Sequence, residues 1–480
     1  MRLNQLYLDG EKAQFLARNY PIYPAFGLLT CGVATVVAIL LIPENPYPAG
    51  ALALPASVLA IGLLLAPAYA CANNAKAALR VENLLIISPI YWLLLDLLQG
   101  AYPMTDVSPG GIKGAFIAIG VFSGGVWLVA FTRPLRLPRI VVRAASHSVR
   151  AENLFWLALV FFGLGFFRFA YPARFNPSVM LSALLDSRWN APWTRGAVGD
   201  WDSFLDHMAY FGYLMPVLTV LIAHHSKRLN LRVVISIILA LVMTAFLAQG
   251  GGRRIVGVIW GAAIICWLVQ QPRISATKLL ISFVGVALIL VFMQTMLEYR
   301  TVGFRALSDE QKRTEYDYLH VDDNFLRLGQ VIERVPDYYP YTYEKQIVYY
   351  AVRPIPRVFW ADKPLDPGVD LSNIFEKNGV SLSISAIGEL YLSWGWIAVF
   401  LGGCLYGKLA NTISTLLVGL KSSSSALVYS IATMALVAGM RSIVEVILMG
   451  YPLLAWLLIT WLLVLKPSRT MTSPLSVERN

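Results

Sequence analysis

Two arginine-bearing stretches carry the strongest chemical signal in this sequence. Gly250-Gly-Gly-Arg-Arg254 joins glycines, which let backbone N–H groups approach a ligand closely, to two guanidinium forks at what reads as a helix start. Arg353-Pro-Ile-Pro-Arg357 holds two further arginines four residues apart on a proline-restricted backbone, with Trp360 and Lys363 just beyond. Both arrangements suit an anion, and the first is the makings of a phosphate or pyrophosphate cradle. The plainer readings are a flexible turn facing lipid headgroups and a set of surface cations. Arg300 and Arg441 extend the cationic set, yet each also reads as half of an ion pair, with Glu298 and Glu445.

Proton-transfer candidates lie nearby in sequence. Glu389 follows Gly388 at the start of an apolar run, where it could cap a helix or, if buried, serve as a general base. His320, Asp322 and Asp323 form a second candidate group; two adjacent carboxylates are a weak metal signal. There is no Walker loop, no nucleotide fingerprint, no Ser/His/Asp order and no zincin motif.

The elements that position these residues are apolar helices. The 480-residue chain is 57% hydrophobic and 14% charged, where soluble domains are about a quarter charged. That combination means a polytopic membrane protein. The net charge of +11 therefore reads as loop charge and not as a nucleic-acid surface. Runs long enough to cross a bilayer fall near 23–42, 51–72, 83–102, 112–131, 152–171, 208–225, 231–249, 254–271, 278–298, 388–410, 425–447 and 449–466. The last two are joined at Gly450-Tyr-Pro452. With a cytoplasmic N-terminus, alternate short segments collect the positive charge: Lys76 and Arg80, then Arg133, Arg136, Arg139, Arg143 and Arg150, then Lys227 and Arg228. The turns 43–50 and 448–452 have none. Arg253 and Arg254 break the pattern, since their short turn falls on the outside.

Two long external loops remain, 172–207 and 299–387. The second contains a helical pattern over Asn324–Val335, expected to lie along the membrane, and eight tyrosines between Tyr316 and Tyr350. The tryptophans of the first, Trp189, Trp193 and Trp201, are expected to anchor at the interface. All four cysteines, Cys31, Cys71, Cys266 and Cys404, sit in apolar runs, which argues against disulfides and metal sites. The whole chain, 1–480, reads as a single all-α transmembrane domain of about twelve helices.

Three stretches in this order, Gly250 to Arg254, Arg353-Pro-Ile-Pro-Arg-Val-Phe-Trp-Ala-Asp-Lys-Pro364 and Gly388-Glu389-Leu-Tyr-Leu-Ser-Trp-Gly-Trp-Ile-Ala398, resemble the bacterial oligosaccharide repeat-unit polymerases, the Wzy-type O-antigen polymerases. The layout is similar throughout, with a large loop in the second half. The resemblance implies a C-type glycosyltransferase (GT-C-like) fold in the bacterial inner membrane, with both termini cytoplasmic and a periplasmic active site. It implies transfer of a glycan from undecaprenyl pyrophosphate onto the non-reducing end of another lipid-linked repeat unit, inverting and without a metal or cofactor. Arg253, Arg254, Arg353 and Arg357, with Arg300, Arg441 and Lys363, would hold the pyrophosphate. Glu389 or the His320/Asp322/Asp323 group would deprotonate the acceptor, and Tyr339, Tyr343, Trp360 and Tyr391 would stack on sugars. Membrane lipids and a Wzz-type chain-length regulator are the implied partners. A flippase or transporter for lipid-linked oligosaccharide and an O-antigen ligase are the alternatives.

Overall fold

Backbone polar groups surrounded by apolar side chains must find partners within their own segment, which favours helices. In a computed structural model describing residues 21–194, 205–226, 229–249, 252–299, 302–305, 317–353, 355, 359–360, 362–364, 383–418 and 422–465, helices are the only regular element among the described residues. In order they are α1 (Pro24–Leu40), α2 (Ala53–Asn73), α3 (Val81–Gln99), α4 (Pro109–Val129), α5 (Arg139–Ala145), α6 (Ala151–Ala170), α7 (Pro177–Leu185), α8 (Asp206–His225) and α9 (Leu231–Gln249). There follow α10 (Arg253–Val269), α11 (Ala276–Glu298), α12 (Asn324–Arg334), α13 (Glu344–Val352), α14 (Ser385–Val418), α15 (Ser423–Gly439) and α16 (Ile443–Leu465).

Nine of the described helices, α2, α3, α4, α6, α8, α9, α11, α14 and α16, are long and apolar enough to cross a membrane. The chain is thus a multi-pass membrane protein by helix length and composition. The helices α1, α10 and α15 have 17 residues each, about 25 Å at 1.5 Å per residue.

Glycine sets how closely the central pair packs. α14 lies against α4, and a Cβ at Gly403 would sit 2.2 Å from the Phe122 carbonyl oxygen, one at Gly407 2.7 Å from that of Val126. Gly125 meets the Phe400 carbonyl in the same way from the other side. Small residues four apart are what allow two backbones in an apolar bundle to touch.

α14 is not one straight rod. Trp394 (φ −147°, ψ 35°) and Gly395 (φ 62°, ψ −142°) break it into two arms, and a Cβ on Gly402 would fall 2.3 Å from a Leu390 methyl. Residues 12 apart touch in that way only if the first arm folds back along the second. The carbonyls freed at the reversal are recovered by the preceding loop: Thr342 N–H donates to Leu392 O (2.8 Å) and Tyr343 N–H to Ser393 O (3.1 Å). Gly395→Ala is expected to lower stability by about 1–3 kcal/mol, because the backbone region is glycine's and the new methyl would meet Tyr341 Oη at 2.7 Å. An unchanged thermal unfolding midpoint would refute this account of the reversal.

Three sequence expectations are corrected here. The expected helix at 388–410 begins at Ser385 and contains the reversal, so Glu389 sits on the folded-back arm. The break between the last two helices falls at Met440–Ser442, not at Gly450-Tyr-Pro452, which lies inside α16. Gly and Pro are tolerated in apolar bundles, whereas the carbonyls exposed at the true break have partners: Met440 O accepts from Ala386 N (3.0 Å) and Arg441 O from Ser383 Oγ (3.0 Å). Finally, α12 is not laid on the outside of the bundle. Its residues from Asn324 to Val331 are buried, with Phe325 against Phe116 at 5.0 Å between ring centres, so it is wedged among α3, α4 and α14.

Candidate active site

At the end of the bundle where α10 and α16 begin, the helices enclose a cavity of about 460 Å³, within the range of small-molecule sites. One pole is cationic. Arg253 and Arg254 open α10, and Arg441 occupies the break before α16. Arg441 Nε donates to Asp322 Oδ2 (2.6 Å), while Arg253 reaches the other oxygen, Oδ1, at 3.2 Å. Glu445 Oε1 is shared in the same manner, by Arg254 Nε (2.9 Å) and Arg441 Nη1 (3.7 Å). Two carboxylates thus bridge three guanidiniums, leaving one net positive charge. Burial works against the charge of Arg441, but Asp322 and Glu445 outweigh it and hold this guanidinium above its ordinary range.

Arg253 is fixed further by backbone. Its Nη1 donates to His320 O (2.8 Å) and its Nη2 to Val321 O, so a loop segment 67–68 residues away holds the fork in place. The rest of the lining is aromatic and mixed in charge, with Trp92, Trp189, Trp193, Tyr210 and Phe246 beside Arg168, Arg188 and Asp206. Arg168, buried near the end of α6, pairs with Asp206 and donates to Trp193 O (2.8 Å). The Trp193 indole donates to Gln249 Oε1 (2.7 Å), tying the loop after α7 to the end of α9. Trp92 reaches the wall because α3 opens into a single wide turn, Ile90–Leu94, directly after Pro89; Trp92 O accepts from Asn324 Nδ2 (3.1 Å).

The remaining sequence candidates are distributed as follows. Arg300 and Arg357 lie outside the described residues. Arg353 does not line the cavity; its guanidinium donates to Tyr349 Oη (2.6 Å), and its carbonyl accepts from Tyr451 Oη (3.3 Å), whose ring stacks on Tyr210 at 4.9 Å. Lys363 is buried and donates to the carbonyls of Arg353 (3.2 Å) and Ile355 (2.6 Å), bracing the loop. Asp322 and Asp323 diverge: Asp322 faces the cavity, whereas Asp323 pairs with Arg327 at the start of α12. His320 contributes its carbonyl to Arg253. Burial, with Arg253 beside it, pushes the imidazole below the usual histidine range, so the ring is neutral at pH 7.

Glu389 stands apart from the cavity. Its carboxylate accepts from Ser442 Oγ (2.6 Å), Ile443 N (2.8 Å) and Tyr350 Oη (2.8 Å), which caps the first turn of α16 and pins the folded-back arm to the break. Burial and the neighbouring Glu389 raise the Tyr350 phenol well above its usual range, keeping it a donor. Tyr391 is buried with its hydroxyl on Val335 O (3.3 Å); Tyr343 and Trp360 are exposed, Tyr339 half-buried, and none of the four lines the cavity. Sequence reading missed Arg168, Arg188, Asp206 and the aromatic wall. An arginine inside the last turn of an apolar run was the available signal for Arg168.

Residues 237–464, from α9 to α16, match a domain of unknown function (DUF8712). The match spans just under half of the chain and contains Arg253, Arg254, Asp322, Arg441 and Glu445, but not Arg168 or Arg188. No curated protein and no solved structure matches the chain.

The chemistry open to such a site is capture of a compact polyanion by arginine forks, with flat rings in the same lining for an apolar or sugar face. Arg254 is the most exposed of the three cavity-end arginines, at 39% of its side chain, and bonds one carboxylate. Arg254→Ala is accordingly expected to weaken binding of inorganic pyrophosphate about tenfold with near-normal protein levels. Calorimetry on the purified full chain checks this, and wild-type affinity would exclude Arg254 from the grip.

Proposed function

We propose that this chain is a glycosyltransferase of the bacterial inner membrane that polymerises lipid-linked oligosaccharide repeat units. It would take the growing glycan from undecaprenyl pyrophosphate and join it to the non-reducing end of a second lipid-linked unit. The observation that carries the reading is the convergence of Arg253, Arg254 and Arg441, from stretches nearly 190 residues apart in sequence, on one aromatic-walled cavity. It agrees with the resemblance of the Gly250–Arg254, Arg353–Pro364 and Gly388–Ala398 stretches to the Wzy-type polymerases.

In this reading α1, α10 and α15 join the nine longer helices as twelve crossings of GT-C-like architecture, and the cavity opens on the periplasmic side. The bond between the anomeric carbon and the diphosphate oxygen breaks with its electron pair passing to the diphosphate. Guanidiniums fixed in advance stabilise the charge that develops there. The acceptor hydroxyl loses its proton as its oxygen bonds the anomeric carbon. Trp92, Trp189 and Tyr210 offer stacking faces to the sugars.

The test is reconstitution of the full chain in proteoliposomes with a synthetic undecaprenyl-diphosphate-linked repeat unit. A ladder of lengthened glycans on lipid is the expected product. Movement of unaltered repeat units across the bilayer would instead make it a transporter, and transfer only to a lipid A-core acceptor would make it a ligase.

A further inference from the structure

Resting on the diphosphate reading, we infer that Asp322 and Glu445 are placeholders that occupy the arginine forks until a diphosphate displaces them, and that the displaced Asp322 then accepts the proton of the acceptor hydroxyl. Three guanidiniums and two carboxylates sum to one positive charge, while a diphosphate esterified at both ends carries two negative charges. Bound beside both carboxylates it would meet only one net positive charge, with two like charges next to it; bound in their place it meets three cations.

The geometry separates what must stay from what can leave. Arg253 keeps its bonds to the His320 and Val321 carbonyls when Asp322 withdraws, so its fork stays aimed. Arg441, by contrast, has both Asp322 and Glu445 as ion-pair partners, and its donors pass to the ligand when they go. Asp322 faces the cavity, on the short segment between Val321 and α12. Once its arginines are engaged elsewhere, Asp322 presents an unpaired carboxylate oxygen to the cavity as a proton acceptor. The proton balance closes: the acceptor oxygen bonds the anomeric carbon, its proton moves to an Asp322 oxygen, and the electron pair of the broken bond departs with the diphosphate.

The decisive measurement is the sign of a binding change. Inorganic pyrophosphate is titrated calorimetrically into the full chain in nanodiscs, as wild type, Asp322→Asn and Glu445→Gln. Both variants are expected to bind it about tenfold more tightly, since a like charge opposing the ligand has been removed. Asp322→Asn is also expected to transfer glycan at under about 1% of the wild-type rate. Equal or weaker pyrophosphate binding by the variants, with wild type binding normally, overturns the placeholder role while leaving the diphosphate reading intact. Tighter binding by Asp322→Asn with turnover above about a tenth of wild type removes Asp322 as the base. Should Asp322→Asn fail to fold, Glu445→Gln alone still decides the exchange. Absence of pyrophosphate binding in every form, wild type included, overturns this inference together with the reading beneath it.

Discussion

Replacing Arg441 with alanine is expected to lower pyrophosphate affinity at least about 100-fold and to bring glycan transfer below about 1% of wild type. Arg441 is the one side chain shared by both carboxylate bridges, and two charge-assisted hydrogen bonds contribute about 1.5–3 kcal/mol each. The loss should be functional and not a collapse of the fold. Asp322 keeps Arg253 and Glu445 keeps Arg254, so neither acid is left as a buried unpaired charge. Arg441→Lys should recover only part of the affinity, because an ammonium cannot span two acceptors as a planar fork does. Calorimetry and the reconstituted transfer assay measure both effects. An alanine variant within threefold of wild type in both would remove Arg441 from the site.

The largest structural effect is expected from Gly403→Val. The new Cβ would lie 2.2 Å from a carbonyl oxygen of α4, and backbone cannot swing aside as a side chain can. α4 and α14 would have to separate, with loss of about 3 kcal/mol or more. The purified, monodisperse yield should fall at least about tenfold. Gly450→Ala is the matched control: nothing stands within 4 Å of its added methyl, so its yield and unfolding midpoint should equal those of wild type. Equal behaviour of the two variants would mean that α4 and α14 do not touch as described.

The helices were legible because a run of apolar residues can satisfy its backbone in few other ways, and each of the twelve apolar runs has a helix within it. What failed was local detail decided by distant partners. Gly450-Tyr-Pro452 has turn composition, yet the chain turns at Met440–Ser442, where Ser383 and Ala386, more than fifty residues earlier, supply the bonds. Trp394-Gly395 reads as ordinary helix interior until Thr342 and Tyr343 are present to take up the freed carbonyls.

The site was legible by half for a related reason. Arg253 and Arg254 stood out as a glycine-flanked pair that breaks the loop-charge pattern, Asp322 as one of two adjacent carboxylates, and Arg441 as a charge in an apolar run. The cavity's aromatic wall did not, since Trp92 in an apolar run looks the same whether it faces a packed neighbour or an opening. Glu389 drew attention by type, but its use was set by Ile443 N and Ser442, which sequence spacing does not bring near it.

The brevity of α10 and α15 has a physical outcome of its own. Each is about 25 Å long, against a hydrocarbon layer about 30 Å thick, and α15 ends beside Tyr406, about 16 Å down α14 from its reversal. In the proposed reading, where α10 crosses a bilayer, its short reach would draw the headgroup region inward beside the cavity. A phosphate-bearing lipid could then lower its head into that hollow while its tail stays among its neighbours. The transfer proposed above would then not require hauling a long isoprenoid out of the leaflet, and the work of extraction would fall to the shape of the membrane itself.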